Sequence, residues 1–224
     1  MKKRQADELV WLRRIILFLR ANANVLRCIE RGWLLARVEE LVAQLLVHRS
    51  EQVHFTLSAR AATAGYHAAR QSLAYGLLVP LVELAPLVVN DPRLMDTFKR
   101  PVHNAPAEQL IAAARAMAIA AQPYEEAFVA AGMPANFRAR LGSTSAAILA
   151  ALETRARFVR CCMQATSEIS DKLGEARWAV RVIDSLVRAE AMNNPSLRRV
   201  WSTLRVVPAY GRRVGGQAPV SAAA

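Results

Sequence analysis

Two long stretches of this chain carry no helix breaker and repeat apolar residues in alternating steps of four and three. In the first, Leu34, Val38, Leu41 and Leu45 set the spacing, and Phe55, Ala59, Ala62, Tyr66, Ala69 and Leu73 continue it. His48 and Gln52 hold the two intervening positions of that seam, and no proline occurs before Pro80. In the second, Phe137, Leu141, Ser145, Ile148, Leu152, Ala156, Val159, Met163, Thr166, Leu173, Val180, Ile183 and Val187 trace one stripe between Pro134 and Pro195. Residues three and four apart share a helix face, so each stripe predicts one amphipathic helix. The first would run for about 45 residues, roughly 65 Å at about 1.5 Å per residue, and the second for about fifty. A helix with one apolar side must bury that side on another element. The expected fold is all-α: an elongated antiparallel bundle of three or four main helices, two of them very long and coiled-coil-like.

The rest of the chain fills in that picture. Residues 5–30 read as a first helix, with Asn22 and Asn24 as candidate breaks near its end and with Asp7 and Glu8 in its opening turn, where carboxylates complement the helix dipole. Leu9, Leu12, Ile16 and Leu19 supply its core stripe. The extra apolar positions Trp11, Ile15 and Phe18 suit a second helix, a subunit or a membrane surface. Pro80, Pro86, Pro92, Pro101 and Pro106 are expected to break the middle into short pieces, with Asp91-Pro92 capping one of them. A helix from about Pro106 to Ala121 follows. Pro123 starts another, which Gly132 ends in a left-handed cap. Gly174 is a candidate bend in the second long helix. Residues 195–207 form a last short helix. Residues 1–207 thus read as a single helical-bundle domain, and 208–224 as a disordered basic tail with three of the nine glycines.

The net charge is +12, and arginine dominates the basic residues. Such a balance favours anionic partners such as nucleic acid or phospholipid headgroups. It is spread evenly, however: residues 1–100 and 101–224 each carry fifteen bases and nine acids. The one concentrated patch is Arg198, Arg199, Arg205, Arg212 and Arg213, five bases without an acid over residues 195–224. It would suit nonspecific nucleic-acid or anionic-membrane-surface binding, and it equally suits a solvated helix face. The three cysteines, Cys28, Cys161 and Cys162, make no disulfide framework and point to a cytoplasmic location. One of the adjacent pair is expected to face inward as a small hydrophobe. Asp7, Glu8 and Arg13-Arg14 interrupt any signal-peptide pattern. Leu73–Val89, the longest apolar run, is broken by Pro80, Glu83 and Pro86 and falls short of the ~20 residues of a span, so no transmembrane segment is expected.

Assembled chemistry is sparse. The best metal hint is Glu51 and His54, three apart and therefore on one helix face. A di-iron bundle needs two such pairs and two further glutamates, and His48, His67 and His103 do not complete the set. A solvated polar face is the better account of Glu51 and His54. No phosphate loop, nucleophile elbow or Cys-x-x-Cys is present. No cofactor and no catalytic residue is expected.

Several strings are similar to a family of all-helical proteins from high-GC bacteria. They are Arg4-Gln5-Ala6-Asp7, the alanine-rich run from Ala112 to Ala118, Phe128 to Phe137, and Arg177 to Val187. The resemblance implies a helical bundle and brings neither an activity nor site residues. The functional expectation is a non-enzymatic interaction or structural protein, with a homo-oligomer or another protein as partner. The alternatives are anion binding through the C-terminal arginines, and a metal or enzyme site inside the bundle.

Overall fold

The computed structural model describes residues 3–27, 32–100 and 105–207; among these there are helices and turns and no strand, so the chain is all-α. The helices are α1 (Lys3–Ala21), α2 (Trp33–Leu73), α3 (Val79–Val88), α4 (Pro92–Met95), α5 (Ala107–Ala120), α6 (Glu125–Ala130), α7 (Phe137–Glu190) and α8 (Pro195–Leu204). A π-helical turn, Ala74–Leu78, joins α2 to α3, and 3-10 turns precede α6 and α8. The described residues fall into two compact units: those up to His54 together with those from Cys162 onward, and Phe55–Cys161. Cys28, His103, Arg212, Arg213 and the tail 208–224 lie outside the described residues.

The first unit gathers α1, the opening of α2, the closing half of α7, and α8. Leu9, Leu12, Ile16 and Leu19 share one core with Leu34, Val38, Leu41 and Leu45 of α2 and with Ile169, Leu173, Val180, Ile183 and Val187 of α7. Fully burying each such side chain stabilises the fold by about 1.5–3 kcal/mol relative to exposure. Arg37 meets Glu175 at 2.7 Å, His48 meets Glu168 at 3.0 Å, and Gln52 meets Thr166 at 2.6 Å. The α2 numbers rise as the α7 numbers fall, so the two helices are antiparallel here. The second apolar face of α1 meets α8. Trp11 Nε1 donates to the Leu204 carbonyl at 2.8 Å, and the Phe18 ring lies 5.4 Å from that of Trp201. Since α1 starts at Lys3, Asp7 and Glu8 sit beyond its first turn. Glu8 is buried instead, with Arg4 Nε at 3.1 Å and Arg177 Nε at 3.3 Å from its carboxylate.

The second unit packs the end of α2, α3 to α6 and the opening of α7 about Leu73, Leu77, Leu81, Leu110, Met117, Phe128, Phe137 and Leu141. Here the proline expectation needs correction: the helical backbone runs through Pro80 and Pro86 to Val88. Proline lacks an N–H and its ring crowds the carbonyl four residues back. The π-turn just upstream changes that register, because Val79 N–H returns to the Ala74 carbonyl, five residues back. Pro80 then falls in the first turn of α3, where a missing donor costs little. Trp33–Val88 is consequently long and apolar enough, by length and composition, to cross a membrane. Its Leu73, Leu77, Leu78, Leu81 and Ala85 are buried in the unit's core, while Tyr75 and Leu87 are exposed.

Other local signals hold. Asp91 Oδ1 accepts from Arg93 N at 2.9 Å, and Pro92 opens α4. After α6, Gly132 adopts φ 109°, and Met133 N–H returns to the Phe128 carbonyl at 2.9 Å, closing the helix as a left-handed cap does. Asn194 Oδ1 accepts from Leu197 N at 3.1 Å and starts α8. Gly174 lies inside an α7 assigned as continuous from Phe137 to Glu190.

The α7 stripe also needs correction in its middle. Ala156, Val159 and Met163 are exposed, and Phe158, Ala165 and Ile169 turn inward. Phe137 to Ile148 and Leu173 to Val187 of the same stripe are buried, so the departure is confined to its middle. Cys161 and Cys162 lie in that middle, and both are half-buried, where one was expected inside.

Candidate functional site

His48 and Gln52 interrupt the apolar seam of α2 immediately after Leu45, within the first unit. Gln52 is buried, and its amide donates to Thr166 Oγ1, which in turn donates to the Cys162 carbonyl at 2.7 Å. One turn earlier, His48 Nδ1 lies 3.0 Å from Glu51 Oε2 and 3.0 Å from Glu168 Oε2. The other oxygen of Glu168, Oε1, accepts from Gln164 Nε2 at 3.0 Å. His48, Glu51 and Glu168 have side chains 21%, 43% and 36% exposed, so the cluster sits at the rim of the core with one side open.

The anticipated pair was Glu51 with His54. Glu51 turns back to His48, and His54 stands exposed one turn further on. Residue spacing along α2 could show either partner for Glu51. Only the antiparallel register of α2 and α7 brings Glu168 to the same place.

The C-terminal arginines divide. Arg198 and Arg199 are exposed beside an open depression of about 350 Å³ that Met192, Pro195 and Ser202 complete. Arg205 instead pairs with Asp184 at 3.2 Å. That carboxylate also receives Trp201 Nε1 at 2.8 Å and Arg188 Nη2 at 2.8 Å. Part of the basic patch is therefore used to fasten α8 to α7. In the second unit a cleft of about 260 Å³ is lined by Ala114, Ala118, Leu141 and Ser145 with Arg138 at its edge. Arg138 is committed to Glu125 at 2.6 Å and the Ala118 carbonyl at 3.2 Å, and Arg115 also lines the cleft.

One surface was not singled out from sequence. From Val53 to Ser72 of α2, and from Leu149 to Gln164 of α7, no described residue is fully buried. The parts within the second unit carry Phe55, Leu57, Tyr66, Leu149, Leu152, Phe158 and Val159. Phe55 and Phe158 stack at 6.4 Å, which identifies the shared seam. Leu57 is 58% exposed and Val159 41% exposed, off that seam. Ala61, Ala64 and Ala68 extend the outward line of Leu57 at helical spacing, and all three are exposed. The signal was present as a second 4-3 repeat on the outside of α2, hidden beneath the stronger one.

No protein-family model, curated protein or solved structure matches this chain.

Proposed function

We propose that the chain is a non-enzymatic helical interaction protein that self-associates through the exposed stretch of α2 and α7 in its second unit. The observation that carries this is the absence, among the described residues there, of any fully buried side chain over about five turns of α2 and about three and a half turns of α7. Two helices bury only the seam between them, and their outer apolar positions need further helices. A second copy supplies two, giving four around one core. The small outward residues Ala61, Ala64 and Ala68 allow close approach of a neighbouring backbone.

Charge sets the conditions. Arg60, Arg70, Arg155, Arg157 and Arg160 outnumber Glu153 in this stretch, so two copies repel at long range. Salt screens that repulsion and strengthens apolar burial, so association should grow with ionic strength. Anion binding through arginine behaves oppositely and weakens with salt. Light scattering on a size-exclusion column, run from low to high salt, tests the reading. Leu57→Glu and Val159→Glu should return the protein to a monomer with unchanged helicity. A strict monomer at every salt and protein concentration would end the proposal.

A further inference from the structure

We infer that His48, Glu51 and Glu168 bind one first-row divalent transition-metal ion, with Zn2+ as the probe, and that the ion clasps α2 to α7. This stands apart from self-association, since all three residues belong to the first unit.

The geometry around one nitrogen carries the inference. Two carboxylate oxygens each lie 3.0 Å from His48 Nδ1. A ring nitrogen bears at most one hydrogen, which points along one line and serves one acceptor well. The second carboxylate then faces that nitrogen with no proton directed at it. The three ligand atoms all lie within 4.8 Å of one another. A metal at about 2.0–2.2 Å from nitrogen and oxygen ligands sets neighbouring ligand atoms roughly 3.0–3.5 Å apart. Both nitrogen–oxygen spacings already stand at the short end of that range. Rotation of the partly exposed glutamates closes the rest.

The ligands rest on rigid elements. His48 and Glu51 are one turn apart on α2, and Glu168 projects from α7 with its second oxygen held by Gln164. The Gln52–Thr166 bond, one turn on, fixes the two helices against each other. Such outer contacts orient metal ligands and tune their affinity. The imidazole donor favours zinc and its neighbours over magnesium and calcium, which prefer oxygen alone. The open side leaves the remaining coordination to water. Bound there, the ion would join the helices where His48 and Gln52 replace apolar seam residues.

The test is calorimetric titration of the full, chelator-stripped protein with Zn2+. One ion per chain should bind and raise the thermal midpoint, and excess Mg2+ should not compete. His48→Ala and Glu168→Gln should each weaken binding at least tenfold, because each removes a direct ligand. Glu168→Gln keeps the side-chain shape, so its helicity should be unchanged; if His48→Ala fails to fold, Glu51→Gln takes its place. His54→Ala and the double change Cys161→Ser with Cys162→Ser should bind as the parent does. The Co2+ form should lack a thiolate charge-transfer band. Absence of binding to the folded parent overturns the inference, as does binding that survives ligand replacement or disappears with His54 or the cysteines.

Discussion

Replacing Asp184 by alanine should weaken the attachment of α8 to α7, and the structure fixes the scale of the effect. Trp201 is 2% exposed, and its indole N–H donates to Asp184 Oδ1 at 2.8 Å. Removing the acceptor strands a buried donor, which costs about 1–3 kcal/mol. The same carboxylate pairs with Arg188 and Arg205, whose side chains are 55% and 38% exposed. Solvent screens pairs so exposed, and each contributes at most about 0.2–1 kcal/mol. Asp184→Ala should therefore cost about 2–3 kcal/mol, mostly from the indole. Asp184→Asn keeps an oxygen acceptor and loses only the charge shared by the two pairs, so it should cost at most about 2 kcal/mol and less than the alanine variant.

A double-mutant cycle isolates the hydrogen bond. Trp201→Phe removes the donor while keeping most of the ring in the core, so Asp184→Ala in that background should lose about 1–2 kcal/mol less than in the parent. Urea unfolding followed by tryptophan fluorescence is the suitable assay. All four tryptophans, Trp11, Trp33, Trp178 and Trp201, lie in the first unit, so the signal reports that unit. Equal costs for the alanine and asparagine variants, or strict additivity in the cycle, would refute the reasoning.

Two further outcomes follow from the structure. The hydrogen bond from Lys172, with help from Arg37, holds the Glu175 carboxyl below its ordinary value, against a smaller opposing effect of burial. A depressed folded-state value means that the unfolded chain takes up the proton first. The stabilisation is therefore present above the unfolded value and is lost as pH falls through the folded one. The stability gap between the parent and Glu175→Gln, measured by urea unfolding, should be widest near neutrality and close in acid; a gap independent of pH would contradict the assignment. Glycine replacements should split by backbone geometry. Gly132→Ala, at φ 109° with open space where the added Cβ would lie, should cost about 1 kcal/mol from backbone strain alone. Gly174→Ala, in the interior of α7 with equally open space, should stabilise by about 0.5–1 kcal/mol. Thermal unfolding of the two variants checks the opposite signs.

The elements legible in the sequence are those whose signal is local. All twelve seam positions of α2 from Leu34 to Leu73 are buried or half-buried, because the 4-3 spacing holds without a slip. Asp91 and Gly132 cap helices as expected, since a cap involves only neighbours a few residues away, and Asn194, not singled out from sequence, caps α8 in the same local way. Prediction failed where a second element intervened or a stripe left its line. Pro80 was read as a break because the π-turn that accommodates it leaves no mark in residue type. The α7 stripe was followed onto Val159 and Met163, where Phe158 and Ala165 turn inward instead.

The candidate site divides along the same line. His48 and Gln52 stood out as polar residues on an apolar seam, a property of α2 alone. Glu168 did not, because it becomes a partner only once α7 is laid antiparallel at one particular register. Arg205 shows the converse: a count of charges makes it part of a basic patch, and the fold gives it to Asp184. A charge tally measures what a segment could offer to an outside anion before the chain's own carboxylates have claimed it. Of the five arginines singled out at the C-terminus, the described structure leaves Arg198 and Arg199 exposed and engages Arg205. That redistribution lowers the electrostatic case for this surface, while Leu57, Leu149 and Val159 stay exposed on α2 and α7 in the second unit. Apolar area left in water is a standing cost that only another surface can remove, and this is why self-association is the stronger reading of the same fold.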